Sequence, residues 1–173
     1  MRKPTRGGVS ATGITLVMVT ATTLANGTAA VSAAPSSDGT RLPLASILRT
    51  CDWSMINGVT ASQAAFATAD ATIRTGGSNT VVADIHVVNT YAPGTHYDVG
   101  LIELPRPSSS TCGPGDPGTT FGGLDTDAGG RGATTLQASI RPGATGVGVV
   151  VQRPNPYSQA PAEFYTSDSV API

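Results

Sequence analysis

The stretch NTYAPGTHYDVGLIELP, residues 89–105, decides how this chain folds. It follows TVVADIHVV (80–88), an alternating segment rich in β-branched residues that reads as a strand. Together the two segments hold the only histidines, His86 and His96, each with an aspartate two residues away, Asp84 and Asp98. If 81–88 and 96–104 pair directly as a hairpin, Ala83, Ile85 and Val87 face inward with Tyr97, Val99 and Leu101. The outer face then gathers Asp84, His86, His96 and Asp98, with opposite side chains about 5 Å apart. Two imidazoles and two carboxylates suit zinc or copper. If the chain instead changes sheet at Pro93, the histidines project from opposite outer faces of two sheets about 10 Å apart, and they share no metal.

The residues Tyr91-Ala92-Pro93-Gly94-Thr95-His96-Tyr97 favour the crossing. Proline four residues before a tyrosine and threonine two before it resembles the fibronectin type III pattern at the corner between strands E and F. There a tyrosine opening strand F hydrogen-bonds to the chain upstream. The resemblance gives that role to Tyr97, with Tyr91 standing where leucine is usual. The His/Asp cluster stays as the metal-binding alternative.

The N-terminal residues stand apart from the fold. MRKPTRG is basic, ITLVMVTATTLA is apolar and short, and TAAVSAAP supplies small residues, which together predict a signal peptide over residues 1–33. It accounts for Arg2, Lys3 and Arg6 of the ten basic residues, so seven face eleven acids and the remaining net charge is about −4. The remaining basic residues are scattered arginines, which disfavours nucleic acid as a partner. No later run is long and apolar enough to span a membrane. The expected location is secreted or extracytoplasmic, in the cell envelope. Cys51 and Cys112 are the only cysteines, and in an oxidising compartment they read as one structural disulfide. Its chain-entropy value is ~4 kcal/mol.

Residues 34–49 read as a flexible lead-in, with LPLASIL making the first apolar contacts. From Ala65 to Ile73 alanines alternate with Phe66, Thr68, Asp70 and Thr72. Alanine favours helix, but the period of two and the following GGSN turn favour a strand and a hairpin around residues 76–79. PRPSSSTCGPGDPGTT (105–120) reads as a loop, DTDAGGRG (125–132) as a turn, and Thr134, Leu136, Ala138 and Ile140 as one face of a strand. RPGATG is a second turn, Val147, Val149 and Val151 mark a buried strand face, and AEFYTS reads as a last edge strand. The fold expected over residues 50–173 is an all-β, immunoglobulin-like antiparallel β-sandwich of about seven strands with one disulfide.

Catalytic signatures are not found. DTDAGGRG places Gly129 and Leu136 where a calcium loop needs oxygens. There is no nucleophile elbow, no phosphate-cradling loop with its lysine, and only two glutamates, Glu103 and Glu163. The order of apolar strand, P-x-T-x-Y-D-V, Cys loop, L-x-TDA-G-G-x-G, alternating strand, Pro-Gly turn and valine strand is similar to small exported proteins common in actinobacteria. In those a single immunoglobulin-like or fibronectin type III-like sandwich follows a signal peptide, and the resemblance brings no activity with it. The functional expectation is a non-catalytic binding or structural module whose partner is a protein or envelope component, with no catalytic, metal or cofactor residues assigned. An enzyme with its site on loops 105–120 or 154–162 is the second alternative.

Overall fold

In the computed structural model, residues 39–58, 66–77 and 79–173 are described. The expected signal peptide and Ala65 lie outside them. Alternating burial becomes nine strands: β1 (Thr40–Ala45), β2 (Thr68–Gly76), β3 (Thr80–Val88), β4 (His96–Leu104), β5 (Thr119–Asp125), β6 (Arg131–Ser139), β7 (Gly146–Arg153), β8 (Glu163–Ser167) and β9 (Ala171–Pro172). Every pairing is antiparallel, and no helix occurs among the described residues. The chain is all-β, with nine strands where the sequence suggested about seven. Helix-favouring alanines yield to the period of two: Ala67, Ala69, Ala71 and Ile73 are buried, and the residues between them turn outward.

The hydrogen-bonded order is β5-β4-β7-β8-β1-β2-β3-β6, with β9 added to β7. Three expectations change. Residues 40–45, expected within the flexible lead-in, form β1, which buries Leu42 and Leu44 and bridges β2 to β8. β8 lies between β7 and β1, so AEFYTS is an internal strand rather than an edge. Residues 119–125, partly assigned to the 105–120 loop, form β5. The end strands β5 and β6 are consecutive in the chain and meet across a seam, so the structure is nearly a closed barrel. Side chains make that seam. A Cβ on Gly122 would lie 2.7 Å from Leu136 Cδ2, and one on Gly132 would lie 2.4 Å from Leu124 Cδ2. Each strand's leucine therefore occupies the space above the other's glycine, which fills the gap at interior density.

β3 and β4 do not pair, so the chain does cross at the opening stretch. The turn between β5 and β6 locks this crossing. Asn89 N–H donates to Gly130 O at 2.7 Å, Thr95 N–H to Thr126 Oγ1 at 2.8 Å and Gly94 N–H to Asp127 O at 3.2 Å. Asp127 shapes the turn by accepting the N–H groups of Gly129 and Arg131 at 2.8 and 2.9 Å, bonds that also lower its pKa.

Gly130 and Gly94 separate backbone strain from docking. Their φ values are +75° and +72°, yet a Cβ on Gly130 would lie 2.1 Å from Asn89 O, while one on Gly94 meets nothing within 4 Å. In urea denaturation, Gly94→Ala is expected to cost about 1 kcal/mol, the left-handed penalty alone. Gly130→Ala is expected to cost about 3 kcal/mol, because overpacking adds to it. Equal losses would contradict the docked turn.

Candidate functional site

The structure does not assemble the His/Asp cluster. His86 on β3 faces Asp70 of β2 and Ala133 of β6 in register, and Asp84 bonds Arg74 and Thr135. His96 on β4 lies instead with Asp125 of β5, Nδ1 to Oδ1 2.7 Å, and Asp98, Nε2 to Oδ1 3.5 Å. The reason is the crossing at 89–95, which gives β3 and β4 different neighbours. Among the described residues no group of three or more His, Cys, Asp or Glu is placed to hold a metal ion. The His96 ring lies over Gly123, whose Cβ position is 2.9 Å from its Cε1. The hydrogen bond to Asp125, with the charges of Asp125 and Asp98, raises the His96 pKa against a smaller desolvation effect.

The two glutamates are buried, and each has an arginine. Glu163 is 3% exposed and Glu103 2%. Arg153 Nη2 lies 3.1 Å from Glu163 Oε1, while the hydroxyls of Tyr97 and Tyr165 donate to Oε2 at 3.0 and 3.2 Å. Asn89 Nδ2 donates to the Tyr97 oxygen at 2.7 Å, and Ala67 N–H donates to the Tyr165 oxygen at 3.0 Å. Burial raises the pKa of both tyrosines. Tyr97 thus does bond to the chain upstream, through the Asn89 side chain. Sequence reasoning missed this network. Its trace was Glu163-x-Tyr165, two residues apart on a strand and so on one face. At the opposite end of β4, Glu103 Oε2 accepts the Arg141 N–H at 3.1 Å and lies 3.4 Å from Arg141 Nε. Such pairs keep buried carboxylates from being stranded without a partner.

One surface that can take a ligand is the outer face of β4, β5, β7 and β8. Cys51 and Cys112 form the expected disulfide, with Cα atoms 5.5 Å apart, and it ties residues 48–56 to the loop after β4. That arm is a small hairpin, closed by the Arg49–Met55 bridge and by Ile56 N–H donating to Leu48 O at 2.9 Å. At its tip Asp52 accepts from Thr50 Oγ1 and from Ser54 N–H, and the Thr50 bond is the main cause of its lowered pKa. Trp53 follows with φ +68°, a left-handed conformation uncommon for a bulky residue. Its ring lies on Gly148, whose Cβ position is 2.3 Å from the indole, and its N–H donates to Ser167 O at 3.3 Å. Beside it opens a recess of about 440 Å³ with Ile102, Phe121 and Val150 on the floor, Leu48 and Trp53 on the arm side and Gln152 among its polar groups. Gly100 admits the Phe121 ring, which approaches its Cβ position to 2.6 Å. Of the loops expected to carry an enzyme site, 105–120 borders this recess through residues 110–114.

The chain matches no family model, no curated protein and no solved structure.

His96 gives a pH test of this surface. Its folded pKa lies above the ordinary value of about 6.5, so protonation contributes stability that is complete below that value. The contribution is lost as pH rises through the folded pKa. Asp125→Asn is therefore expected to destabilise more at about pH 5 than at about pH 9 and to move the His96 NMR titration midpoint downward. An unchanged midpoint would contradict the pairing.

Proposed function

We propose that this chain acts outside the cytoplasm as a non-catalytic binding module, an immunoglobulin-like sandwich that recognises its partner through the Trp53 recess. Trp53 carries the reading: a large side chain is held in a left-handed conformation, on an arm fixed by a disulfide, beside an apolar opening outside the interior. The disulfide supports an oxidising location, as does the signal-like sequence of residues 1–33. Hairpins β2–β3, β4–β5 and β7–β8, separated by crossings, support the sandwich reading, with β1 as a bridge between its halves. The commitment of Glu103 and Glu163 to arginines supports a structural rather than a catalytic use of the glutamates.

The occupant that fits is one compact apolar group presented by an envelope component or a protein. The recess is large enough for such a group, and its floor of Ile102, Phe121 and Val150 is uncharged, with Arg49 the one charged residue in its lining. Trp53 is the only tryptophan and reports occupancy directly. Titration with the uncharged probe N-phenyl-1-naphthylamine is expected to quench Trp53 emission saturably. Val150→Glu, which places a carboxylate on the floor, is expected to weaken the probe at least about tenfold, since burying the charge unpaired costs more than 1.4 kcal/mol. Saturable binding that Val150→Glu leaves unchanged, or none at all, would overturn the reading.

A further inference from the structure

A second recess, of about 450 Å³, lies on the other side of residues 110 and 111, walled by three prolines and bearing Arg106, Arg141, Ser109, Ser110 and Thr111. Its two guanidinium groups differ in how their charge is met. Arg141 has Glu103 as its carboxylate, and its Nη2 also donates to Glu103 O at 3.3 Å and to Pro105 O. Gly118 (φ +71°) makes room for it, since a Cβ there would lie 2.6 Å from Arg141 Nε. Arg106 has only carbonyls. Nη1 donates to Pro117 O at 2.8 Å and Gly118 O at 3.4 Å, and Nη2 to Thr111 O at 2.5 Å. Among the described residues no carboxylate is within 4.0 Å of Arg106; its buried Nε has no hydrogen-bond acceptor, a state shared by Arg49 Nε and Arg141 Nε. Asp116, in the same loop, spends its carboxylate on Gly113 N–H at 2.7 Å.

Arg106 thus brings to the recess a cation that no described carboxylate answers. The three carbonyls fix the plane of the Arg106 fork, so its direction is set before any ligand arrives. A planar fork of N–H donors is complementary to a carboxylate or phosphate group. The hydroxyls of Ser109, Ser110 and Thr111 supply neutral donors on the same wall. With Arg106, Arg141 and Glu103 counted together, the recess carries one net positive charge.

We infer that this recess is an oxyanion-binding site, which takes a carboxylate or phosphate group on Arg106 with Arg141 beside it. The inference does not depend on the Trp53 recess, with which it shares only Ser110 and Thr111.

The test is read on the unaltered mature protein, through the Nε–Hε cross-peaks of its arginines in 15N-correlated NMR. Sodium phosphate and sodium acetate are titrated separately at constant ionic strength, balanced with chloride. The expected result is a saturable shift of the Arg106 peak at millimolar anion, with Arg41 and Arg74 unmoved. Saturation by phosphate alone assigns a phosphate-bearing ligand, by acetate alone a carboxylate, and by both a general oxyanion site. Arg106→Gln is expected to weaken saturation at least about tenfold as read on Arg141. Should Arg106→Gln not fold, Arg106→Lys keeps the charge without the fork and is expected to weaken binding less. Failure of both anions to saturate Arg106, or parallel shifts of all arginines, would overturn the proposal.

Discussion

The disulfide between Cys51 and Cys112 is the constraint on which the functional surface depends. The outer face of β4 and β7 is not built for water. Ile102 and Leu104 are buried on it, and Gly100 and Gly148 leave flat places that the rings of Phe121 and Trp53 occupy. Apolar area of this kind needs a cover, and each buried large side chain contributes about 1.5–3 kcal/mol once covered. The 48–56 arm is that cover, but it adds only one bridge of its own, Arg49–Met55. A covalent tie makes a short, weakly paired segment hold its position. Arg49 completes the attachment, donating to Trp53 O at 2.9 Å and Asp168 O at 3.0 Å while its guanidinium lies 5.9 Å from the Trp53 ring centre.

Inside, the same economy of glycine against large side chain closes the structure. Leu136 over Gly122 and Leu124 over Gly132 join the two end strands without a ladder between them. The buried Glu163 network then fixes one end of the interior, because Tyr97, Tyr165 and Arg153 come from three strands and satisfy one carboxylate. Removing one partner of such a set leaves a buried charge or donor unpaired, which specifies a single arrangement. A rigid body of this kind is a suitable support for surface recesses that must keep their shape without a ligand.

Much of this was legible from residues alone. Val81 to Val87 and Val147 to Val151 alternate, and both faces proved to be buried strand faces. The turn read over 125–132 lies at its centre, with Asp125 in β5 and Arg131 and Gly132 in β6, and the cysteine pair read as one bond. What escaped depended on partners distant in the chain. Residues 40–45 were read within the flexible lead-in, yet β1 pairs along β2 because Leu42 and Leu44 find an interior to fill. The glycines of β5 lowered its propensity, and their use appears only when Leu136 and the His96 ring lie above them. The histidines failed as a pair for the same reason: equal spacing from aspartates says nothing about which strands become neighbours. Arg106 was one more scattered arginine until the fold surrounded it with carbonyls.

The central claim is that the disulfide holds an outer arm in place over an otherwise independent strand assembly. Hydrogen–deuterium exchange on the Cys51→Ser/Cys112→Ser double variant tests it most directly. The account predicts lost protection confined to residues 48–56 and 106–118, a red shift of Trp53 emission, and retained protection in β2, β3 and β6. Unchanged exchange in the arm, or loss spread evenly over all strands, would contradict it.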